Sequence, residues 1–179
     1  MKLFTDLRLL LLAIWLGAAL FFVGVAQSAF AVLPSRELAG SVVSRTLMIL
    51  NLSGLGIAVV LILMSLVGRT GANRFSLWGE RFLLLVVGAA CGVGQFVIAL
   101  WMDFTRAQMG RPIDELAADD PLRLQFNSLH EYSVWVLIAG MAAALLAFIL
   151  IAATRPANAG GNAATTNDPF DFSKPFVKK

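Results

Sequence analysis

The sequence predicts an all-α integral membrane protein folded as a four-helix transmembrane bundle. Of its 179 residues, 59% are hydrophobic and 14% are charged, whereas soluble domains carry about 25% charged residues. Four apolar stretches without Asp, Glu, Lys or Arg are each long enough to cross a bilayer, which takes roughly 20 residues in a helix. A helix pairs its own backbone groups in hydrocarbon, and no stretch of comparable length alternates in polarity as a barrel strand would.

The first predicted span, 9–33, imitates a signal peptide at both ends. Lys2 and Arg8 precede its apolar run, and the small-residue pattern Ala29-Phe30-Ala31 follows it. The apolar run continues beyond the 7 to 15 residues typical of a signal-peptide core, and Pro34 ends it as a helix stop would. We therefore expect this span to be retained as a membrane helix.

The other three spans are predicted by the same criterion at residues 47–67, 82–102 and 134–153. Between the last two lies a polar segment, 103–133, predicted to form an extracytoplasmic loop and then an interfacial helix that begins at Pro121. The tail, 154–179, is mostly poor in large apolar residues. We expect it to be a flexible cytoplasmic segment.

The basic residues predict the orientation of these spans. Nine of the 14 Lys and Arg residues fall on the side of the two termini, and the other five fall on the opposite side. Cytoplasmic segments carry the excess of basic residues, so both termini are predicted to lie in the cytoplasm and the protein in the inner (plasma) membrane. The net charge of +3 is therefore interpreted as a topology signal. Membrane lipids, and no nucleic acid, are the expected contacts.

Small residues four positions apart occur in every predicted span. Gly88 and Gly92 form a GxxxG motif, and Gly17 and Gly140 each have a small residue four positions away. Such faces let helix backbones approach closely in lipid. The favoured interpretation is packing within the bundle, because every helix carries such a face; the alternative is an interface with a second copy or another membrane protein. Cys91 is interpreted as a small packing residue.

Polar side chains in membrane spans are costly, and they are therefore the best candidates for a site. The predicted topology gathers seven at the extracytoplasmic end: Gln27, Arg45, Asn51, Asp103, Arg123, His130 and Ser133. Arg123, Asn127 and His130 are spaced by four and three residues, so they share one helix face. His130 is predicted to belong to a polar network, with Asn51 or Asp103 as its partner from another helix. This face is predicted either to bind a headgroup, an ion or a partner, or simply to meet water and headgroups.

Two segments resemble the transmembrane protein 205-like family, a domain of unknown function. The first is Arg8 with Ala13-Ile-Trp-Leu-Gly-Ala18, and the second is Arg123-x-x-Phe126-x-x-x-His130-x-x-Ser133. The resemblance spans about residues 7–153. It implies a small four-helix integral membrane protein with no agreed activity. Related families include copper-resistance and haem-associated membrane proteins, so a metal function has to be weighed.

A copper or haem site needs several His, Met or Cys ligands, and this chain has one histidine, His130, and one cysteine, Cys91. No metal site and no cofactor are predicted. No nucleotide-binding or hydrolase motif is present, so we expect a protein that is not an enzyme. The predicted role is a scaffold, an assembly factor or a stress accessory. The alternative is a membrane protein that handles copper, haem or a small solute through His130.

Overall fold

The computed structural model describes residues 2–66 and 74–154, in which long helices are joined by short connections. The helices are α1 (Lys2–Val32), α2 (Arg36–Leu66), α3 (Arg74–Val93), α4 (Leu100–Met109) and α5 (Pro121–Ala153). A π-helix, Gly94–Ala99, joins α3 to α4 without a break, and a short 3₁₀ turn, Ile113–Glu115, precedes α5. No strand occurs in this part of the chain. Four helical runs are long and apolar enough to cross a membrane, which confirms the predicted all-α four-helix architecture.

Local sequence signals explain where α1 ends and α2 begins. α1 ends at Val32, two residues before Pro34, whose ring cannot continue a helix. The next helix starts directly after Ser35, whose hydroxyl accepts a hydrogen bond from the backbone amide of Leu38 at 3.2 Å. The connection between the first two spans is therefore much shorter than the predicted 13 residues around Pro34.

The ends of α4 and α5 are also set by capping residues. α4 stops at Gly110, whose φ of 62° is in the left-handed region that favours glycine. Asp120 caps α5 by accepting a hydrogen bond from the backbone amide of Leu122 at 2.8 Å, and Pro121 occupies the first turn. The predicted helix start at Pro121 therefore agrees with the structure.

The helices extend beyond the predicted spans. α2 begins at Arg36 rather than near residue 47, and the third helical run covers 74–109 rather than 82–102. The extracytoplasmic loop predicted from residue 103 is thus helical as far as Met109. Hydropathy marks only the apolar part of a helix, whereas backbone hydrogen bonding continues into its polar ends. Apart from Thr154, the predicted flexible tail lies outside the described residues.

The four runs form a bundle in which α1 packs on α2, α2 on α3, α3 on α5, and α5 on α1. In this ring of four, α1 and α3 are not neighbours but face each other diagonally across the bundle, and so do α2 and α5. Buried residues recur along the diagonal helices at alternating spacings of three and four, the pattern of left-handed helix packing. The residues of this series are Arg8, Leu12, Trp15, Ala19 and Phe22 in α1, and Glu80, Leu84, Val87, Cys91, Gly94 and Ile98 in α3 and the π-helix; Leu9, beside Arg8, is buried as well.

The indole of Trp15 occupies the middle of the bundle. Its Nε1 atom donates a hydrogen bond to the carbonyl of Leu50 at 3.1 Å, which satisfies a polar group that is otherwise buried. A Cβ atom on Gly54 would collide with this indole and lie 2.7 Å from Cys91 Sγ. Gly54 therefore permits the close approach of α2 to the centre of the bundle.

Exposed aromatic residues mark two levels along the bundle. Trp78 and Trp101 lie on the same helical run and are exposed, separated by about 34 Å at 1.5 Å per residue. This separation is close to the roughly 30 Å of a bilayer core, and tryptophan is enriched at both of its boundaries. In the first half of α5, Tyr132 and Trp135 are exposed aromatic residues as well. The helix segments beyond Trp101 and before Trp135 therefore project out of the apolar region.

Candidate functional site

The projecting segments form a polar cap, which we define as residues 36–46, 100–116 and 120–133. Every segment of the cap contributes at least one buried residue: Ala39, Thr105, Met109, Leu116 and Leu129. The cap is therefore a packed extension of the bundle rather than a set of frayed helix ends.

Arginine side chains hold the cap together. Arg123 Nη1 donates a hydrogen bond to the carbonyl of Leu116 at 2.7 Å and so ties α5 to the preceding connection. The guanidinium of Arg106 stacks over the ring of Phe126, 5.3 Å from its centroid, and so joins α4 to α5. Arg123 and Arg106 therefore stabilise the cap itself through these contacts.

His130 is exposed on α5, and its backbone carbonyl accepts a hydrogen bond from Ser133 Oγ at 2.7 Å. The described residues show no hydrogen bond between His130 and the predicted partners Asn51 and Asp103. Asp103 is instead exposed and lies 3.8 Å from Arg106 Nη1. The predicted network around His130 is therefore not assembled: its imidazole stands on the surface of the cap.

The remaining members of the predicted cluster separate into surface and interior groups. Gln27 and Arg45 are exposed. Asn51 is only 5% exposed and lines a cavity of about 10 Å³ together with Ser133, Trp15 and other residues of the bundle. The seven predicted residues thus do not form one site, because helix packing places Asn51 and Ser133 on the bundle axis and the others at or near its surface.

The glycines predicted to pack helices together also differ in their surroundings. A Cβ on Gly88 would lie 3.5 Å from Ala58 Cβ, and a Cβ on Gly140 would lie 3.1 Å from Ala90 Cβ. These two glycines face neighbouring helices. Nothing lies within 4 Å of a Cβ built on Gly17 or Gly92, so within the described chain these two do not fulfil the predicted packing role.

An ion pair that the sequence did not lead us to expect lies at the opposite end of the bundle. Arg8 and Glu80 form a salt bridge in which both residues are buried, with 3% and 0% of their surfaces exposed. Beside it, Arg81 donates to the Ser65 carbonyl at 2.9 Å and to the Ser65 hydroxyl at 3.2 Å. From the sequence, Arg81 and Glu80 were counted only in the charge asymmetry that predicts topology, and Arg8 was used there, as a flank of the first apolar run and in the family resemblance, but burial was predicted for none of them. The continuation of the three-and-four spacing through Arg8 and Glu80 was the signal that could have revealed their burial.

Ionisable side chains inside a membrane protein are costly and most often serve folding or function. Here each buried charge has an opposite charge beside it, and the pair joins two helices that make few other contacts. The arrangement can hold α1 and α3 in register. No group of three or more His, Cys, Asp and Glu side chains able to hold a metal ion occurs among residues 2–66 and 74–154.

The helices and the polar cap define a small multi-pass helical membrane protein. Residues 10–111 match the family described as Domain of unknown function (DUF4149), and the chain belongs to this family. The match begins within α1, covers α2, α3, the π-helix and α4, and ends before α5. No curated protein and no solved structure matches the chain.

Proposed function

We propose that this protein is a non-enzymatic scaffold, assembly or stress-accessory module whose polar cap contacts a partner. The observation that carries the proposal is the contrast between the axis and the cap of the bundle. Fully buried apolar side chains from all four membrane runs fill the interior of the bundle: Leu12, Leu61, Leu84 and Ile151. The cap, in contrast, presents exposed polar side chains outside the apolar region.

Internal contacts of the cap support a role in recognition. Arg123 and Arg106 fasten α5 to its neighbours, and His130 is displayed on the same helix. A side chain presented on a rigid element loses less conformational freedom when it binds a partner. The partner we favour is another membrane protein or a second copy of this chain, with lipids around both.

The proposed location is the inner (plasma) membrane with both termini in the cytoplasm, which would place the polar cap on the extracytoplasmic side. The asymmetry of basic residues supports this orientation. The resemblance to the transmembrane protein 205-like family, through Arg8 and the Arg123 to Ser133 pattern, supports a small membrane protein without assigned chemistry. In the structure, these two patterns lie at opposite ends of the bundle.

The test is complementation of a strain that lacks the gene and has a measurable defect. His130→Ala should abolish complementation while leaving membrane insertion and yield unchanged, because the imidazole is exposed and supports no buried contact. Ser128→Ala, a change at another exposed position of α5, serves as the control and should complement fully. If His130→Ala complements as well as the wild type, His130 is not part of the functional surface.

A second measurement separates this proposal from metal or haem handling. Protein purified in mild detergent should contain no stoichiometric copper or iron and should show no Soret band. Either signal, if lost in His130→Ala, would overturn the scaffold proposal in favour of a metal or haem site at His130.

A further inference from the structure

The cavity on the bundle axis, which we call the Asn51 chamber, has polar groups from two helices in its wall. Its volume is about 10 Å³, and it is lined by Trp15, Leu47, Asn51, Ala90, Cys91, Gly94, Ser133, Val136, Leu137 and Gly140. Gly94 lies about 10 Å along the helix from Trp101, at 1.5 Å per residue. The chamber therefore lies inside the apolar region, near its boundary with the polar cap.

The carboxamide of Asn51 is the main polar group in this wall. Asn51 is 5% exposed, and among the described residues its side chain makes no hydrogen bond. Its neighbours are satisfied, since Trp15 Nε1 and Ser53 Oγ both donate to the carbonyl of Leu50, at 3.1 and 3.0 Å. A carboxamide can donate two hydrogen bonds and accept two, and leaving all of them unmade in an apolar interior is costly.

Gly94 lies opposite Asn51 in the wall of the chamber, and its lack of a side chain leaves room for the amide. Asn51 Nδ2 lies only 3.2 Å from the position that a Cβ on Gly94 would occupy, so a larger residue would displace the amide. Gly94 also begins the π-helix that continues to Ala99. π-Helices are rare and occur frequently at functional sites.

Ser133 supplies a second polar group from α5. Its hydroxyl donates to the carbonyl of His130 at 2.7 Å, so the hydrogen of the hydroxyl is already used. The oxygen retains lone pairs that can accept a hydrogen bond from a group in the chamber. The chamber thus offers donors and an acceptor on Asn51 and a further acceptor on Ser133.

We propose that the Asn51 chamber binds one ordered water molecule, hydrogen-bonded to the Asn51 carboxamide and the Ser133 hydroxyl. A water-binding cavity needs about 10 to 15 Å³ and two to four polar partners, and the chamber meets both conditions. An ion would lack a charged partner, because no charged side chain lines the wall. The water links α2 to α5, which face each other across the second diagonal of the bundle.

The test is detection of water beside the Asn51 side chain by NMR. The full chain is labelled with ¹⁵N-asparagine and placed in micelles of deuterated detergent. The side-chain NH₂ signals of Asn51 are assigned by their loss in Asn51→Leu. These signals should show a nuclear Overhauser contact to water, with opposite signs in the laboratory and rotating frames, because that difference excludes simple proton exchange.

Two variants test whether the Ser133 hydroxyl binds this water molecule. Ser133→Ala should remove the contact or reduce it severalfold, because the hydroxyl oxygen is lost without filling the chamber. Ser128→Ala deletes an exposed α5 hydroxyl that also donates to its own helix, at 3.1 Å, and should leave the contact unchanged. Absence of any water contact at Asn51 in the wild type, or a contact to detergent chains instead, would overturn the proposal. A contact that survives Ser133→Ala at full strength would overturn the bridging role of Ser133.

Discussion

Arg8 and Glu80 form a buried ion pair across the diagonal of the bundle, between α1 and α3. Both residues occupy core positions, and the next position of the same three-and-four spacing, one turn further along, is a leucine in each helix: Leu12 and Leu84. The bundle therefore has a charged layer at one end of an otherwise largely apolar core. The match of charge between two particular helices favours this pairing over alternative pairings, which would leave a charge buried alone.

The first prediction concerns this ion pair. Arg8→Met should lower the free energy of unfolding in detergent by about 3 to 5 kcal/mol, because Glu80 is left buried without its partner. Combining Arg8→Met with Glu80→Leu should recover most of the loss, since two apolar side chains leave no buried charge. Denaturant-induced unfolding of the single and double variants measures the effect.

A matched control is the exposed ion pair between Arg36 and Asp114, whose charged atoms are 3.6 Å apart and whose side chains are 70% and 52% exposed. Arg36→Ala should change stability by less than about 1 kcal/mol. Equal losses for Arg8→Met and Arg36→Ala would contradict the assigned importance of burial.

The second prediction compares two glycines on α2. Gly54→Ala should destabilise the protein by roughly 1 to 3 kcal/mol, because the new methyl group would collide with Trp15 and Cys91. Gly56→Ala should be neutral or stabilising, since nothing lies within 4 Å of its Cβ position and alanine is the better helix former. Thermal unfolding in one detergent compares the two, and similar melting temperatures would show that the close approach of Trp15 is not needed.

The third prediction tests the GxxxG motif. Gly88→Leu should lower the melting temperature clearly, because the side chain must displace Ala58 and Leu55. Gly92→Leu should have little effect in detergent-solubilised monomers, since its Cβ position is open within the described chain. A large loss confined to Gly92→Leu would instead place Gly92 at a contact that this chain does not make within itself.

The fourth prediction concerns orientation in the membrane. Reporter fusions after Ala72 should give a cytoplasmic signal, and fusions after Asp114 an extracytoplasmic signal, because basic residues are more numerous on the side of the termini. The reverse pattern would invert the proposed topology and place the polar cap in the cytoplasm. A mature chain beginning near Val32 would show that the first span is cleaved.

In the candidate site, the sequence predicted which residues share a helix face but not which residues of different helices are in contact. His130 and Arg123 share a helix face by spacing alone, but Arg123 turns to the Leu116 carbonyl while His130 remains exposed. Asn51 was predicted near His130, and the structure instead places its side chain against Gly94. Helical spacing specifies neighbours along one helix, whereas contacts between helices depend on how the helices rotate and cross.

The sequence by itself determined the class and the spans of this protein, because an apolar run of about 20 residues in hydrocarbon has to pair its backbone groups as a helix. It also indicated the start of α5, since Pro121 suits the first turn of a helix, and the structure added the cap that Asp120 provides. Only the tertiary structure decided that Arg8 meets Glu80, that Gly54 admits Trp15, and that Asn51 borders a cavity. The physical reason is that these contacts join residues distant in the chain, so they depend on how the helices pack against one another and not on the local spacing of residues.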